Sequence, residues 1–192
     1  MQLDITRRQA IVRLAVLMGA SAIGPRLLAG NFGHSASLPA GYTSGDLALL
    51  DEIGETIIPT TALPGAKSVG IGAFMAMMVS DCYRAPVQAA FRSGMAEIAQ
   101  QYAARYGEPF VGGQAANRTA FLNEIHATAR KVRRAHASDE DKGETSHYFT
   151  MMKELTKLGY CTSEMASTTL FDWRAVPGHY DGNVLYKKRV HV

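Results

Sequence analysis

The chain has 192 residues, of which 47% are apolar and 19% are charged, and it carries a formal net charge of +3 with two cysteines. This composition excludes a disordered chain, which is poorer in apolar residues, and a small disulfide scaffold, which is richer in cysteine. The length suits one domain, or one domain preceded by a targeting segment.

The first 37 residues have the pattern of an export signal. Arg7 and Arg8 stand directly before a short apolar stretch that only Arg13 interrupts, and a zone of small residues follows. This is the order of a signal peptide, and the arginine pair resembles the twin-arginine signal that carries folded proteins across a bacterial membrane. We predict a signal helix and linker over residues 1–37 and a separate domain over residues 38–192. The alternative is an ordinary amphipathic first helix.

The export signal accounts for the whole net charge. Residues 1–37 contain four of the 20 basic residues and one of the 17 acidic ones, which leaves 16 of each in the domain. A neutral domain has no basic excess with which to follow a phosphate backbone, and the chain contains no nucleic-acid-binding motif. We therefore predict that nucleic acid is not a partner.

The domain is predicted to be all-α, a single compact body of about five to six helices with a turn-rich C-terminal arm. Apolar residues recur at helical spacing, whereas runs of alternating β-branched residues are missing. Helix starts are predicted at Thr43 or Ser44, near Pro86, at Asn117, at Ser138 or Asp139, and at Ser163. Helix ends are predicted at Pro59, Gly107 and Gly159. The second helix is predicted to carry Phe74, Met77, Met78 and Tyr83.

Motifs for catalysis or cofactor binding are scarce. The two cysteines cannot form a haem attachment motif, and Gly70-x-Gly72 lacks the third glycine of a dinucleotide fingerprint. Glu144-x-x-His147 is half of a di-iron carboxylate motif, without its second half. We expect no cofactor and no catalysis in this chain itself. The alternatives are a helical metal-dependent oxidase that uses Glu144 and His147, and a periplasmic scaffold without a redox role.

The cysteines and the remaining histidines leave several arrangements open. In an oxidising compartment Cys82 and Cys161 can pair with each other, one can bond a partner subunit, or both can be buried as small apolar residues. His126 lies among basic residues of the fourth helix, and we predict that it is on the surface. His179 belongs to a turn in the tail, where it can approach a partner's active site.

The C-terminal third contains the most distinctive motifs. The first runs from Leu155 to Glu164 and includes Gly159, Tyr160, Thr162 and Ser163, and the second is a turn with Pro177, Gly178, His179, Tyr180 and Gly182. Earlier segments that belong with them are Ile57-Ile58-Pro59, Pro64-Gly65-Ala66 and the paired arginines. Together these motifs resemble the gluconate 2-dehydrogenase subunit 3 family over nearly the whole domain.

The resemblance implies a small, helical, non-catalytic subunit. Members of that family accompany a large flavoprotein of the glucose–methanol–choline type, often alongside a cytochrome c, and the large subunit oxidises a sugar or sugar acid. FAD is then expected in the partner, and the twin-arginine translocase is expected to export the folded complex to the periplasm, where it can associate with the inner membrane. Interface candidates are Gly159, Tyr160, Thr162, Ser163, Trp173, Pro177, Gly178, His179, Tyr180 and Gly182. Alternatively, Tyr160 and Trp173 fill the domain's own core.

Overall fold

The structure is a computed structural model that describes residues 38–135 and 147–171, with seven further positions: Trp173, Val176, Gly178, His179, Gly182, Asn183 and Leu185. The chain divides into two units, residues 1–37 and 38–192, and every described residue belongs to the second. Several sequence predictions concern residues outside this description, namely those for Arg7, Arg8, Ser138, Asp139, Glu144, Pro177 and Tyr180.

The described residues form six α-helices and no strand, which confirms the all-α prediction. The helices are α1 (Ser44–Ile57), α2 (Ile71–Cys82), α3 (Ala85–Tyr106), α4 (Ala115–Ala135), α5 (Tyr148–Thr162) and α6 (Glu164–Thr169), and a 3-10 turn, Ala66–Val69, lies between α1 and α2. Within this part of the chain, no helix combines the length and the apolar character that crossing a membrane requires.

Local side-chain chemistry sets several helix ends where the sequence predicted them. Thr43 caps α1 in a capping box: its Oγ1 accepts from the Asp46 amide at 3.2 Å, and the Asp46 carboxylate accepts from the Thr43 amide at 2.8 Å. Gly107 ends α3 with a left-handed φ of 72°. Ser163 caps α6, where its Oγ accepts from the Ala166 amide at 3.2 Å. These three boundaries are confirmed.

Other predicted boundaries are wrong. Helix α4 begins at Ala115, before the predicted cap Asn117. Helix α5 begins at Tyr148, because His147 is non-helical and its Nδ1 caps the helix by accepting from the Phe149 amide at 3.2 Å. Gly159 was predicted to end α5, yet it lies inside that helix, which continues to Thr162. The structure assigns this glycine a packing role instead.

Helix α5 is the centre of the domain, since it contacts each of the other five helices and the 3-10 turn. The core around it consists mainly of large apolar side chains, including Leu50, Ile53, Ile71, Met75, Val79, Phe91, Ile98, Tyr102, Met152 and Leu155. The fully buried side chains of α2 include Ile71, Met75 and Val79, whereas Met77 is exposed. Of the other apolar residues predicted for this helix, Phe74 and Met78 are partly buried against the core. A helix that is apolar on most sides does not define its own inward face.

Candidate functional site

Two of the distinctive sequence motifs meet in the folded domain. The Tyr160 hydroxyl, on α5, donates a hydrogen bond to the Pro64 carbonyl at 2.7 Å, which joins the Gly-Tyr motif to the Pro-Gly-Ala turn 96 positions earlier. Only 6% of Tyr160 is exposed, and this burial raises the pKa of its hydroxyl. The structure therefore places Tyr160 in the domain's own core, which was the alternative to an interface anchor.

Glu55 organises the loop that contains the Pro-Gly-Ala turn. Its carboxylate accepts hydrogen bonds from the Thr60 amide at 2.8 Å, the Thr60 hydroxyl at 2.7 Å and the Lys67 amide at 3.0 Å. Burial by itself would raise the pKa of Glu55, but these hydrogen bonds and the Lys67 charge outweigh it and lower the pKa. Gly65 is required beneath this carboxylate, since a Cβ there would lie 2.4 Å from Glu55 Oε2.

A buried ion pair fixes the same region to α4. Glu52, on α1, is 7% exposed and pairs through its two carboxylate oxygens with Lys67 and with Arg118. The Arg118 side chain is itself mostly buried and lies over the Phe110 ring, at 6.0 Å from the ring centroid. This pair could not be predicted from the sequence, because no local pattern links two residues 66 positions apart.

The remaining residues of the Gly-Tyr motif have structural contacts within the domain. A Cβ on Gly159 would lie 2.5 Å from Phe74 Cδ1 and 2.6 Å from Ile71 Cδ1, so the glycine permits close packing of α5 on α2. The Thr162 hydroxyl donates to the Leu158 carbonyl at 2.8 Å, and the Ser163 hydroxyl donates to the Tyr160 carbonyl at 2.7 Å. These residues shape the end of α5 and the start of α6.

Large apolar side chains are exposed after α6. Phe171 is 58% exposed and Trp173 61%, and farther along the tail Val176 and Leu185 are also exposed. We call these four residues the apolar C-terminal segment. The Trp173 amide donates to the Ser167 carbonyl at 2.9 Å, which fixes the backbone at the tryptophan to α6. Trp173 therefore presents its indole to solvent, and the alternative that it fills the core is wrong.

The described positions of the tail turn are exposed as well. Gly178 has a left-handed φ of 86°, a backbone conformation that glycine adopts without strain. Gly178, His179 and Gly182 are all exposed. Large apolar side chains and a turn thus share the accessible end of the chain, and their exposure matches a surface that a partner covers.

The two cysteines are free thiols in the structure. Cys82 is exposed at the end of α2 and Cys161 is half-buried in α5. The arrangement in which both are buried as apolar residues is therefore wrong.

His147, one of the two residues of the metal-dependent alternative, uses its Nδ1 to cap α5. Burial lowers its pKa. Among the residues that the structure describes, no three His, Cys, Asp or Glu side chains come together as a metal site.

The Gly70-x-Gly72 segment also has a structural role. Gly70 takes a left-handed φ of 66° to start α2, and a Cβ on Gly72 would lie 2.4 Å from the Leu47 carbonyl oxygen. The Gly72 amide donates to the Asp51 carboxylate at 2.7 Å. A carboxylate already occupies the helix N-terminus that would have to bind a dinucleotide phosphate, so this segment does not fit FAD.

One surface groove was missed by the sequence analysis. It has a volume of about 530 Å³ and runs between the end of α1, the second half of α4 and the middle of α5. Its charged lining consists of Arg130, Arg133, Lys153, Lys157 and Glu154, and its apolar floor consists of Ile57, Ile58 and Ala129. We call it the basic groove. His126 also lines it and is half-buried.

A family model described as gluconate 2-dehydrogenase subunit 3 matches residues 45–178 of the chain. This match begins in α1 and extends past α6 into the tail, so it covers all six described helices. No curated protein and no solved structure matches the chain.

Proposed function

The chain belongs to the gluconate 2-dehydrogenase subunit 3 family, and from that premise we propose that it is the small, non-catalytic subunit of a periplasmic FAD-dependent dehydrogenase. The family name makes it a subunit of a multi-subunit dehydrogenase complex. In our proposal the large partner is of the glucose–methanol–choline type, binds FAD and oxidises a sugar or sugar acid. A cytochrome c subunit can complete the complex.

The single observation that carries this proposal is the family match over residues 45–178. The distribution of contacts supports it. The distinctive residues Gly159, Tyr160 and Ser163 are used in the domain's own packing, while the apolar C-terminal segment remains uncovered. Aromatic side chains are enriched among the residues that dominate binding energy at interfaces. We therefore propose Trp173 as the main anchor on the large subunit, with Phe171 beside it.

We further propose that this subunit carries the export address for the complex. Arg7 and Arg8 precede a short apolar stretch in the arrangement of a twin-arginine signal. A flavoprotein that must fold and bind FAD before export needs a route for folded cargo. Bound to this chain, it would cross the membrane without a signal of its own and reach the periplasm, where the complex can associate with the inner membrane.

Exchange of Arg7 and Arg8 for lysine tests the export role. The double variant Arg7→Lys/Arg8→Lys keeps the positive charge but removes the arginine pair, so we expect dehydrogenase activity to remain in the cytoplasmic fraction. The matched control is Arg13→Lys, which changes an arginine of the same segment outside the pair and is expected to leave activity periplasmic. Activity is assayed in separated cell fractions with an artificial electron acceptor. Unchanged periplasmic activity in the double variant would contradict the export role.

A further inference from the structure

The basic groove concentrates positive charge on a domain that is neutral overall. Arg130 and Arg133 lie three positions apart on α4, and Lys153 and Lys157 lie four positions apart on α5. These spacings place each pair on one face of its helix, so two helices each contribute a pair of cations to one cavity. Among the described residues of the lining Glu154 is the single carboxylate, so the described lining has four cations and one anion.

In the part of the chain that the structure describes, most of these cations have no ion-pair partner. Among the residues that the structure describes, no carboxylate forms an ion pair with Arg130, Arg133 or Lys157. Like charges that line one cavity repel one another, and an anion bound between them reduces this repulsion. An open groove with unpaired cations is therefore suited to an anionic ligand.

The surroundings of His126 show that positive charge is concentrated inside the groove. Its Nε2 lies 3.3 Å from Lys153 Nζ, and because an ammonium group can only donate, Nε2 is the acceptor and the ring proton lies on Nδ1. Burial lowers the pKa of His126, and so do the positive charges of Lys153, Arg130 and Arg133. The ring is thus a neutral polar group in a positive environment.

The groove has the size of a small-molecule site. Its volume of about 530 Å³ is within the roughly 300–1,000 Å³ that is usual for such sites. A smaller recess of about 130 Å³ shares Ile57, His126 and Lys153 with it and adds the polar side chains of Thr119 and Asn123. The apolar floor offers contact to a carbon skeleton, which an inorganic ion alone would not use.

We propose that the basic groove binds a small organic anion, whose carboxylate or phosphate groups pair with the arginines and lysines while its carbon skeleton lies on the apolar floor. Arg130 and Arg133 present planar guanidinium groups suited to bidentate pairing with either oxyanion. Lys153 and Lys157 supply point charges from the opposite wall. This site is separate from the apolar C-terminal segment and does not depend on the proposed subunit function.

The test is a calorimetric titration of the purified full chain with citrate, inorganic phosphate and neutral glycerol at constant ionic strength. We expect saturable binding of at least one anion and none of glycerol. Arg133→Gln removes a cation from the groove and is expected to weaken binding by about tenfold. Arg134→Gln is the matched control, because Arg134 is exposed on the same helix and does not line the groove, and it should leave the affinity unchanged. Stronger binding of citrate identifies a carboxylate ligand, and stronger binding of phosphate a phosphorylated one.

The ring of His126 supplies an independent readout by nuclear magnetic resonance. A bound anion offsets the positive charge around His126. The pKa of His126 should therefore rise when the preferred anion is added, both in the unmodified chain and in Arg134→Gln. The absence of saturable binding up to about 10 mM anion, or equal binding by both variants, would overturn the proposal. If the chain binds neither anion but Arg133→Gln weakens the subunit complex, the groove is part of a protein interface and the proposed site is wrong.

Discussion

At the residue scale, the distinctive motif residues of α5 act in close packing rather than in chemistry. Gly159 allows Phe74 and Ile71 of α2 to approach the α5 backbone, and the next residue, Tyr160, reaches the Pro64 carbonyl. A side chain at the first position or a lost hydroxyl at the second would disturb contacts between segments that are far apart in sequence. The motif thus specifies how α5 sits against the rest of the domain.

Gly159→Ala tests this packing role. The added methyl group would overlap Phe74 and Ile71, so we expect the free energy of unfolding to fall by about 1–3 kcal/mol, as is typical of overpacked cores. The measurement is urea unfolding followed by circular dichroism. Gly45→Ala is the matched control, because its nearest neighbour would be Thr43 Oγ1 at an ordinary 3.6 Å. Equal stability of Gly159→Ala and the unmodified chain would show that α2 and α5 are not this close.

At the element scale, the loop between α1 and the 3-10 turn is held by a carboxylate whose ionisation matters. The charged form of Glu55 accepts three hydrogen bonds from Thr60 and Lys67. Asp51, one turn earlier on α1, has the opposite behaviour: burial raises its pKa, and the hydrogen bond from the Gly72 amide only partly offsets this. Acidification should therefore change the contributions of these two carboxylates to stability in opposite directions.

The pH dependence of stability distinguishes these two residues. Because the pKa of Glu55 is lowered from 4.5 on folding, its stabilising contribution is complete above that value and is lost as the pH falls through the folded pKa. The stability advantage over Glu55→Gln should therefore shrink on acidification. The pKa of Asp51 is raised from 3.8, so stability relative to Asp51→Asn should increase as the pH falls. Urea unfolding between neutral pH and about pH 3 measures both, and parallel curves for both variants would contradict the assignment.

The elements also show which parts of the fold could be predicted from sequence. Thr43, Gly107 and Ser163 were predicted because a cap depends on residues within one helical turn. The role of Gly159 was missed because it depends on side chains of α2, a helix far away in sequence. The basic groove was missed for the same reason, although the spacing of its arginines on α4 and its lysines on α5 was visible in the sequence.

At the scale of the whole molecule, the domain separates a packed interior from an accessible tail. Helix α5 contacts all the other described helices, whereas the apolar C-terminal segment leaves Trp173 61% exposed. Exposed apolar residues mark an interaction site where they form a continuous patch, and we propose that Trp173 and Phe171 belong to one. The candidate interface could be predicted in part. Both Trp173 and Tyr160 were candidates as aromatic residues, but the sequence could not show that Trp173 is exposed and Tyr160 buried.

The role of Trp173 can be tested in the complex by affinity purification. We expect Trp173→Ser to reduce recovery of the large subunit by about tenfold or more, since hot-spot residues contribute about 2 kcal/mol or more. Val111→Ser is the matched control, because Val111 is also an exposed apolar residue but lies before α4, away from the tail in sequence. Equal recovery with both variants would exclude Trp173 as an anchor.

Purification of the tagged, unmodified chain from its native host shows whether the chain is a subunit of a larger dehydrogenase. The copurifying proteins are identified by mass spectrometry, and bound flavin is measured by absorbance. We predict a large FAD-binding dehydrogenase in a fixed ratio to this chain, with oxidation of a sugar or sugar acid in the same fraction. Recovery of the chain without any flavoprotein under mild conditions would show that it is not a subunit of such a dehydrogenase.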